Sequence, residues 1–216
     1  MSNTHQTINF NKKYVYQFKN TPEYEQKLIR SFFYNKPNGY YVDIGANEPI
    51  IQSQTYHLEK LGWRGLLIEA LPYKKLKFTV AGENSTLNEN PIALGDFSNK
   101  TTIVTCKTLD SILKDNKVLT AFDFISIDIE GHEPEMFKGF NLKKWKPKLV
   151  LLEDHVINHQ KHDFMRSNGY QVIFRTGLNS WYVPIDAGYK LSLFSKLEFF
   201  RKYYIALLPR KFRYRK

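Results

Sequence analysis

The sequence predicts an α/β protein with a doubly wound, mostly parallel sheet that closes in a C-terminal hairpin. From about residue 40 onward, short apolar strand-like segments alternate with helix-like ones, a pattern typical of parallel strands joined by helices. Several of the strand-like segments stop at a glycine turn or an acid, as expected at the edge where such a sheet binds ligands. With 216 residues and 42% hydrophobic content, the chain can fill one core.

The predicted strands are short apolar runs bounded by glycine, proline or an acid. In chain order they are Tyr40–Ile44, Gly65–Glu69, one within Ser85–Leu94, Thr101–Thr105, Phe124–Asp128, Lys148–Glu153, Tyr170–Arg175 and Ser180–Val183. Asn90-Pro91 leaves the bounds of the third strand open, because proline cannot donate a hydrogen bond to a neighbouring strand. The last two strands form the closing hairpin.

The predicted helices fill most of the segments between the strands. They are Pro22–Tyr34, Gln52–Leu61, Pro72–Val80, Leu109–Lys114, Glu133–Lys138 and Ile157–Ser167. Pro134 suits a first helical turn, and glycine follows two of the helices. We therefore expect an N-terminal cap or lid at 1–39, the main domain at 40–189 and a basic amphipathic tail at 190–216.

The net charge of +11 is concentrated in the tail. Residues 190–216 contain nine basic residues and one acid, so they account for eight of the eleven charges. A nearly neutral body does not favour a nucleic-acid binder, and a nucleic-acid partner is not expected. The single cysteine, Cys106, excludes a disulfide framework within the chain and fits a reducing compartment. Because the sequence shows no signal-like or membrane-spanning apolar run, we expect a cytoplasmic protein. Peripheral attachment to a membrane stays open as an alternative.

Acids end three of the predicted strands and point to a nucleoside ligand. Asp43, Glu69 and Asp128 should converge on one crevice, because the carboxyl ends of parallel strands share an edge. Glu69 is placed to accept the hydroxyls of a ribose, although a strand-end acid is also often merely solvated. Gly45 lets the backbone approach a ligand closely. The turn lacks the glycine spacing with which dinucleotide sites bind a pyrophosphate. A site for a ribose without a site for phosphate indicates S-adenosylmethionine, which has no phosphate.

At these residues the chain resembles the FkbM-type methyltransferases. The matching segments run in order through residues 40–175: Val42–Asn47, Gln54–Tyr56, Leu58–Glu59, Gly62–Glu69, Thr108–Asp110, Asp123–Glu133 and Lys138–Gly139. The resemblance implies a Rossmann-like class I methyltransferase fold and an O-methyltransferase acting on sugars, polyketides or related metabolites. Two departures are Pro49, where many members have glycine, and Gln54, where asparagine is usual.

The resemblance also implies roles for individual residues. Asp43, Gly45 and Asn47 would line the methionine and sulfonium end of S-adenosylmethionine, and Glu69 would hold its ribose. Ala70 and Leu71 would flank the adenosine, and Ala93, Leu94 and Asp96 are candidates for the adenine edge. Asp128 would lie at the boundary between cofactor and acceptor, with Glu130 and His132 close behind.

Methyl transfer to a hydroxyl needs an aligned acceptor and a general base. The candidate bases are Asp128, Glu130, His132, Glu153, Asp154 and His155. His132 has the alternative of a turn position before the next helix, and His155 that of a surface histidine. Asp128, Glu130, Glu153 and His155 offer metal ligands, but we expect no metal.

The tail supports a second hypothesis. Leu193, Leu197, Phe200, Tyr204 and Leu207 recur at helical spacing beside basic residues, which is typical of a helix lying on an anionic membrane surface. A helix docked on the domain, followed by a solvated charged end, is the alternative. The expected partner is a small-molecule or glycan acceptor. Two further functions stay open: a non-catalytic nucleoside-binding or membrane-associated protein, and an RNA methyltransferase that uses the tail.

Overall fold

The computed structural model describes residues 7–8, 22–47, 50, 53–69, 85–88 and 106–205. The strands are β1 (Thr7–Ile8), β2 (Tyr40–Ile44), β3 (Arg64–Ile68), β4 (Ser85–Asn88), β5 (Phe124–Ile127), β6 (Leu149–Glu153), β7 (Tyr170–Thr176), β8 (Asn179–Pro184) and β9 (Lys190–Leu191). The helices are α1 (Pro22–Phe32), α2 (Tyr56–Glu59), α3 (Leu109–Asp115), α4 (Glu133–Phe137), α5 (Leu142–Trp145), α6 (Gln160–Ser167) and α7 (Leu193–Phe200). A short 3₁₀ helix, Ile185–Ala187, follows β8, and a π-helical turn, Arg201–Ile205, continues α7.

Seven strands form the central sheet in the order β4-β3-β2-β5-β6-β8-β7. The pairings from β4 through β6 are parallel, whereas β8 runs antiparallel to both β6 and β7. From β2 the chain first builds outward through β3 and β4, then returns to add β5 on the other side. The predicted doubly wound α/β fold with a closing hairpin is confirmed, and its strand order reverses between β2 and β5.

Most predicted elements appear within one or two residues of their expected bounds. Two predicted helices begin later than expected, because side chains that precede them bind backbone N–H groups in a turn. Ser53 Oγ accepts hydrogen bonds from the N–H groups of Thr55 and Tyr56, so α2 starts at Tyr56 rather than at Gln52. Asn158 Oδ1 accepts from the N–H of Gln160, and α6 starts there rather than at Ile157.

Three elements were not predicted. Helix α5 has four residues, too few for a hydrophobic period, and begins where Asn141 caps the N–H of Lys144. Strands β1 and β9 pair in parallel as a separate two-stranded sheet, joining segments that the sequence suggested were independent ends. Several predictions lie outside the described residues: the helix at 72–80, the strand at 101–105, Pro49, Ala70, Leu71, Ala93, Leu94 and Asp96.

Helix α1 is attached to the carboxyl edge of the sheet through a buried acid. Glu25 is fully buried and accepts hydrogen bonds from Gln54, from Asn179 at 2.8 Å and from the hydroxyl of Thr176. Its neighbour Gln26 donates to the carbonyl of Ser53 at 2.7 Å. These contacts hold α1 between the segment after β2 and the β7–β8 turn, the position expected of a cap.

The amino edge of the sheet is closed by an ion cluster. Asp123, just before β5, receives hydrogen bonds from Lys36 and Lys148 at 2.7 Å each and from the backbone N–H of Tyr40 at 3.0 Å. Burial alone would raise the pKa of Asp123, but these three donors outweigh it and hold the pKa below its ordinary value. In the part of the chain that the structure describes, every helix falls short of the length and apolarity needed to cross a membrane.

Candidate functional site

The strand register places the predicted acids in one row at the carboxyl edge of the sheet. Ile44 of β2 lies between Ile68 of β3 and Ile127 of β5, and Ile127 pairs with Leu152 of β6. The residues that come next in each strand therefore line the edge side by side. They are, in order across the sheet, Glu69, Gly45, Asp128 and Glu153. The reversal of strand order lies between the middle two, where an open α/β sheet forms its ligand crevice.

Gly45 occupies a position that no larger residue can take. Its φ is +78°, and a Cβ there would lie 1.7 Å from the carbonyl oxygen of Asp128. Its N–H donates to the carbonyl of Ile68 at 2.9 Å, while the N–H of Asp128 donates to the carbonyl of Ile44 at 3.0 Å. The turn after β2 thus lies against both neighbouring strand ends and leaves the edge open to a ligand.

Glu69 reaches from β3 to the turn after β2. Its Oε2 accepts the backbone N–H of Asn47 at 2.6 Å, and Asn47 takes a left-handed conformation with φ of 46°. The half-buried carboxylate is therefore fixed beside the glycine turn. The assignment of this acid to the hydroxyls of a ribose stays a prediction.

Asp43 lies beneath the turn rather than at its surface. The side chain is buried and accepts a hydrogen bond from Thr55 Oγ1 at 2.8 Å. Burial raises the pKa of Asp43 to about 7, and the negative charges of Asp128 and Glu69 add to the rise against the opposing hydrogen bond from Thr55. A cationic ligand placed among these three acids would favour their ionised forms.

Asp128 and Glu153 form a carboxyl pair. Burial, followed by the charge and hydrogen bond of Glu153, raises the pKa of Asp128 to about 7. Burial also raises the pKa of Glu153, whose side chain is enclosed, whereas Asp128 opens to the crevice. Two carboxyls that interact in this way titrate as a pair, and the ionised form of Asp128 can accept a proton from a bound hydroxyl.

The other predicted catalytic residues lie around the Asp128–Glu153 pair in different environments. Glu130 is exposed, with φ of 54°, and raises the pKa of Asp128 through its charge. His155 is exposed, with Nε2 3.3 Å from Glu153 Oε1. His132 is the N-cap residue of α4, where its side chain makes no capping hydrogen bond. The structure thus places His132 in the turn position that was the alternative to a catalytic role.

Three acids at the ends of β5 and β6 have the geometry to hold a cation. Asp128, Glu130 and Glu153 each offer a carboxylate oxygen, and these oxygens lie within 4.8 Å of one another. Oxygen ligands of this kind suit Mg²⁺ or Ca²⁺. The structure brings together three of the four residues that the sequence offered as ligands, and the expectation that no metal is needed stays a prediction.

Asp154 lies outside this row of strand-end residues and belongs to a buried polar network. Its Oδ1 accepts the N–H of Val156 at 2.8 Å, and its backbone carbonyl accepts a hydrogen bond from Arg175. Arg175 also donates to Ser180 Oγ at 2.6 Å, and that hydroxyl contacts Tyr203 of the C-terminal turn at 2.6 Å. As a candidate base Asp154 is therefore badly placed, because its side chain is enclosed in the core.

Sequence reasoning did not single out two residues that the structure brings to the site. Glu153 was a candidate base and metal ligand, but the sequence did not distinguish it from its neighbours Asp154 and His155. Thr55, which holds Asp43, belonged to the Gln54–Tyr56 segment of the resemblance but had no assigned role. Gln54, a departure from the family pattern, contacts Glu25 at 2.6 Å and so serves the attachment of α1.

A comparison with protein families supports the predicted resemblance. Residues 74–172, a little under half of the chain, match the family model described as the methyltransferase FkbM domain. The predicted resemblance to this family is confirmed, and with it S-adenosylmethionine as the methyl donor. The match begins after β3 and does not include the ends of β2 and β3. The assignment of the residues there to the cofactor site is therefore supported only by the geometry described above.

Solved structures give matches of low identity. A precorrin-6y C5,15-methyltransferase from Geobacter metallireducens is 16% identical, with 74% of this chain and 86% of that chain covered and a TM-score of 0.46. A 1,6-didemethyltoxoflavin-N1-methyltransferase from Burkholderia thailandensis is 10% identical, with coverages of 79% and 80% and a TM-score of 0.44. The METTL16 methyltransferase domain is 15% identical, with coverages of 76% and 66% and a TM-score of 0.48. A comparison with curated proteins gives no match.

The residues of the candidate site fit S-adenosylmethionine on chemical grounds. This donor carries a sulfonium and an ammonium group, which suit a crevice bordered by the acids Asp43, Glu69 and Asp128. It also carries a ribose, for which Glu69 is fixed at the edge of the turn. It has no phosphate, in agreement with a turn that lacks the spaced glycines of a dinucleotide site.

Proposed function

We propose that this protein transfers a methyl group from S-adenosylmethionine to a hydroxyl of a sugar, a glycan or a related metabolite. The observation that carries the proposal is the carboxyl pair Asp128–Glu153 in the row of strand ends beside the glycine turn. A hydroxyl is a weak nucleophile, so its methylation gains from a base that is held near the methyl donor and is partly ionised at neutral pH.

Different residues of the chain would bind the methyl donor and accept the proton. S-adenosylmethionine supplies a methyl group already activated on a sulfonium. Asp43, Gly45, Asn47 and Glu69 would hold the donor at the ends of β2 and β3. The acceptor oxygen would take this methyl group in place of the sulfur, and S-adenosylhomocysteine would be the leaving product. The hydroxyl proton passes to the Asp128–Glu153 pair, so charge and atoms balance.

Asp128 is the better base of the pair because it opens to the crevice while Glu153 is enclosed. Glu153 acts on Asp128, raising its pKa and accepting its hydrogen bond. A base whose pKa is near the working pH combines a useful ionised fraction with strength as a proton acceptor. Neither candidate histidine offers this arrangement, because His132 lies in the turn before α4 and His155 is an exposed residue that contacts Glu153.

The acceptor class is supported by the number of hydrogen-bond acceptors at the row. Asp128, Glu130 and Glu153 present carboxylate oxygens within 4.8 Å of one another. Neighbouring hydroxyls of a sugar ring are donors at matching separation, so one hydroxyl can reach the base while the next is held by another acid. The family resemblance independently implies sugars among the acceptors.

The test uses S-adenosylmethionine with an isotope-labelled methyl group and a panel of free sugars, nucleotide sugars and glycan oligosaccharides, with RNA and amines as comparison acceptors. We expect label in at least one sugar fraction, in a product that resists mild alkali because a methyl ether does not hydrolyse there. Label that alkali releases would indicate a methyl ester, and label only in RNA or in amines would contradict the proposal.

Cofactor binding is measured separately, by calorimetric titration with S-adenosylhomocysteine. We expect Glu69→Ala to weaken binding at least about tenfold, because it removes the carboxylate assigned to the ribose. Glu135→Ala is the matched control, since Glu135 is an exposed acid on α4. Equal affinities in the wild type and both variants would remove Glu69 from the cofactor site.

A further inference from the structure

Helix α7 turns its predicted apolar stripe toward solvent. Leu193 is 75% exposed, Leu197 59% and Phe200 54%, and these are residues that recur at helical spacing in the sequence. Phe194 and Ile205 are also exposed. Clusters of large exposed apolar side chains are uncommon on soluble domains and mark surfaces that bind something.

The stripe is not the face by which the helix attaches to the domain. Phe199 and Tyr203, on another side of the helix, are buried. The Tyr203 hydroxyl contacts Ser180 Oγ at 2.6 Å, and its carbonyl accepts a hydrogen bond from the His159 ring. The docked-helix alternative therefore holds for one face only and leaves the stripe uncovered by the described part of the chain.

Positive charge accompanies the stripe. Lys196 is exposed between Leu193 and Leu197, and the single acid of the segment, Glu198, is paired with Arg201 at 3.1 Å. The sequence after Ile205 continues with two leucines and five basic residues. In total, nine basic residues and one acid occupy 190–216.

We propose that α7 and the basic segment after it bind the surface of a lipid bilayer that contains anionic headgroups. The apolar stripe would enter the interface and the basic side chains would face the headgroups, as amphipathic helices do. A second copy of the chain would bring an equally positive segment to the same place, which like-charge repulsion opposes. RNA would match the charge but leave Leu193, Leu197 and Phe200 in water.

The docked residue Tyr203 reaches the end of β6 that carries Glu153. Its hydroxyl contacts Ser180, and Ser180 pairs with Leu152 in the antiparallel β6–β8 register, one residue before Glu153.

The experiment measures co-sedimentation of the full chain with vesicles made of phosphatidylcholine alone or of phosphatidylcholine and phosphatidylserine. We expect binding to the anionic vesicles, weakening as salt rises because the headgroup attraction is screened. The variant Leu193→Ser/Leu197→Ser/Phe200→Ser should reduce the partition coefficient at least about tenfold, because binding scales with buried apolar area.

The matched control removes exposed apolar side chains that lie outside α7. Leu119 is 80% exposed and Ile185 58%, and Leu119→Ser/Ile185→Ser should bind vesicles like the wild type. Calorimetric titration with S-adenosylhomocysteine and circular dichroism confirm that each variant is folded, and the single variant Leu197→Ser replaces the triple one if it is not. Failure of the wild type to bind anionic vesicles, or undiminished binding by the helix variant, would overturn the proposal. Neither outcome depends on methyl transfer.

Discussion

Asp123 and Asp128 stand at the two ends of the same strand, β5, in opposite electrostatic surroundings. Asp123, at the amino edge, is met by two lysines and a backbone N–H, which hold its pKa below the ordinary value. Asp128, at the carboxyl edge, faces Glu153 and further acids, and its pKa rises to about 7. An acid matched by cations is arranged to stabilise the fold, whereas an acid kept among acids at a crevice is arranged for chemistry.

The largest effect should come from removing the acid at the carboxyl edge. We expect Asp128→Asn to lower kcat by about 10²–10⁴-fold, the usual contribution of a general base. The fold should not suffer: the raised pKa means that ionised Asp128 opposes folding above neutral pH, so a neutral amide leaves the melting temperature at pH 8 unchanged or higher. Methyl transfer to the acceptor found in the panel and thermal melting measure the two quantities.

Glu135→Gln is the control for this substitution, because Glu135 is an exposed acid on α4 outside the carboxylate cluster. It should retain most of the activity. If Glu135→Gln lost activity as severely as Asp128→Asn, or if Asp128→Asn turned over normally, the assignment of the base to Asp128 would be wrong.

The next effect concerns the turn that faces Asp128. Gly45→Ala should cost about 1–2 kcal/mol for the left-handed backbone and a further 1–3 kcal/mol for the clash with the Asp128 carbonyl. Gly131→Ala separates the two costs, because Gly131 also has a positive φ, +96°, but nothing lies within 4 Å of its added Cβ. Chemical denaturation of both variants would measure the difference, and equal losses would mean that the close approach at Gly45 is unimportant.

The two edges also differ in how far the sequence predicts them. Gly45, Glu69 and Asp128 could be placed because each ends an apolar strand, and parallel strand ends must share an edge. The attachment of α1 could not be foreseen. Glu25 and Thr176 are 151 residues apart, and no local period relates a buried acid on a helix to a hydroxyl on a distant strand.

Short-range side-chain contacts limited the prediction in a different way. Ile157 continues an apolar pattern into α6, but the Asn158 side chain binds the N–H of Gln160 and starts the helix later. In the tail, the spacing of Leu193, Leu197 and Phe200 correctly predicted a helical face. It did not reveal that Phe199 and Tyr203 are the residues that dock.

The third effect is a loss of stability at the amino edge. Asp123→Asn should lower the free energy of unfolding by about 1–2 kcal/mol, since it weakens charge-assisted hydrogen bonds whose lysines are partly solvated. Because the folded pKa of Asp123 is depressed, the difference from the wild type is complete at pH 7. It should disappear as the pH falls below about 4, where the carboxyl becomes protonated.

Asp115→Asn is the matched control for the amino edge. Its ion pair with Lys107 is exposed on both sides, so its removal should change stability by less than about 1 kcal/mol. Denaturation at pH 7 measures both variants. A loss in Asp115→Asn equal to that in Asp123→Asn would mean that burial of the ion cluster contributes nothing.

The smallest effect is a shift in pH dependence. In the wild type, kcat/KM should rise with pH through about 7 as Asp128 loses its proton. Glu153→Gln removes a negative charge that raises this pKa, so the rising limb should move to lower pH, while burial keeps it above the value of an ordinary aspartate. Glu135→Gln, on the exposed side of α4, should leave the limb in place. If the rising limb of the kcat/KM profile stayed at the same pH in Glu153→Gln, Asp128 would titrate independently of Glu153. The contrast between Asp128 and Asp123 would then rest only on the lysines that surround Asp123.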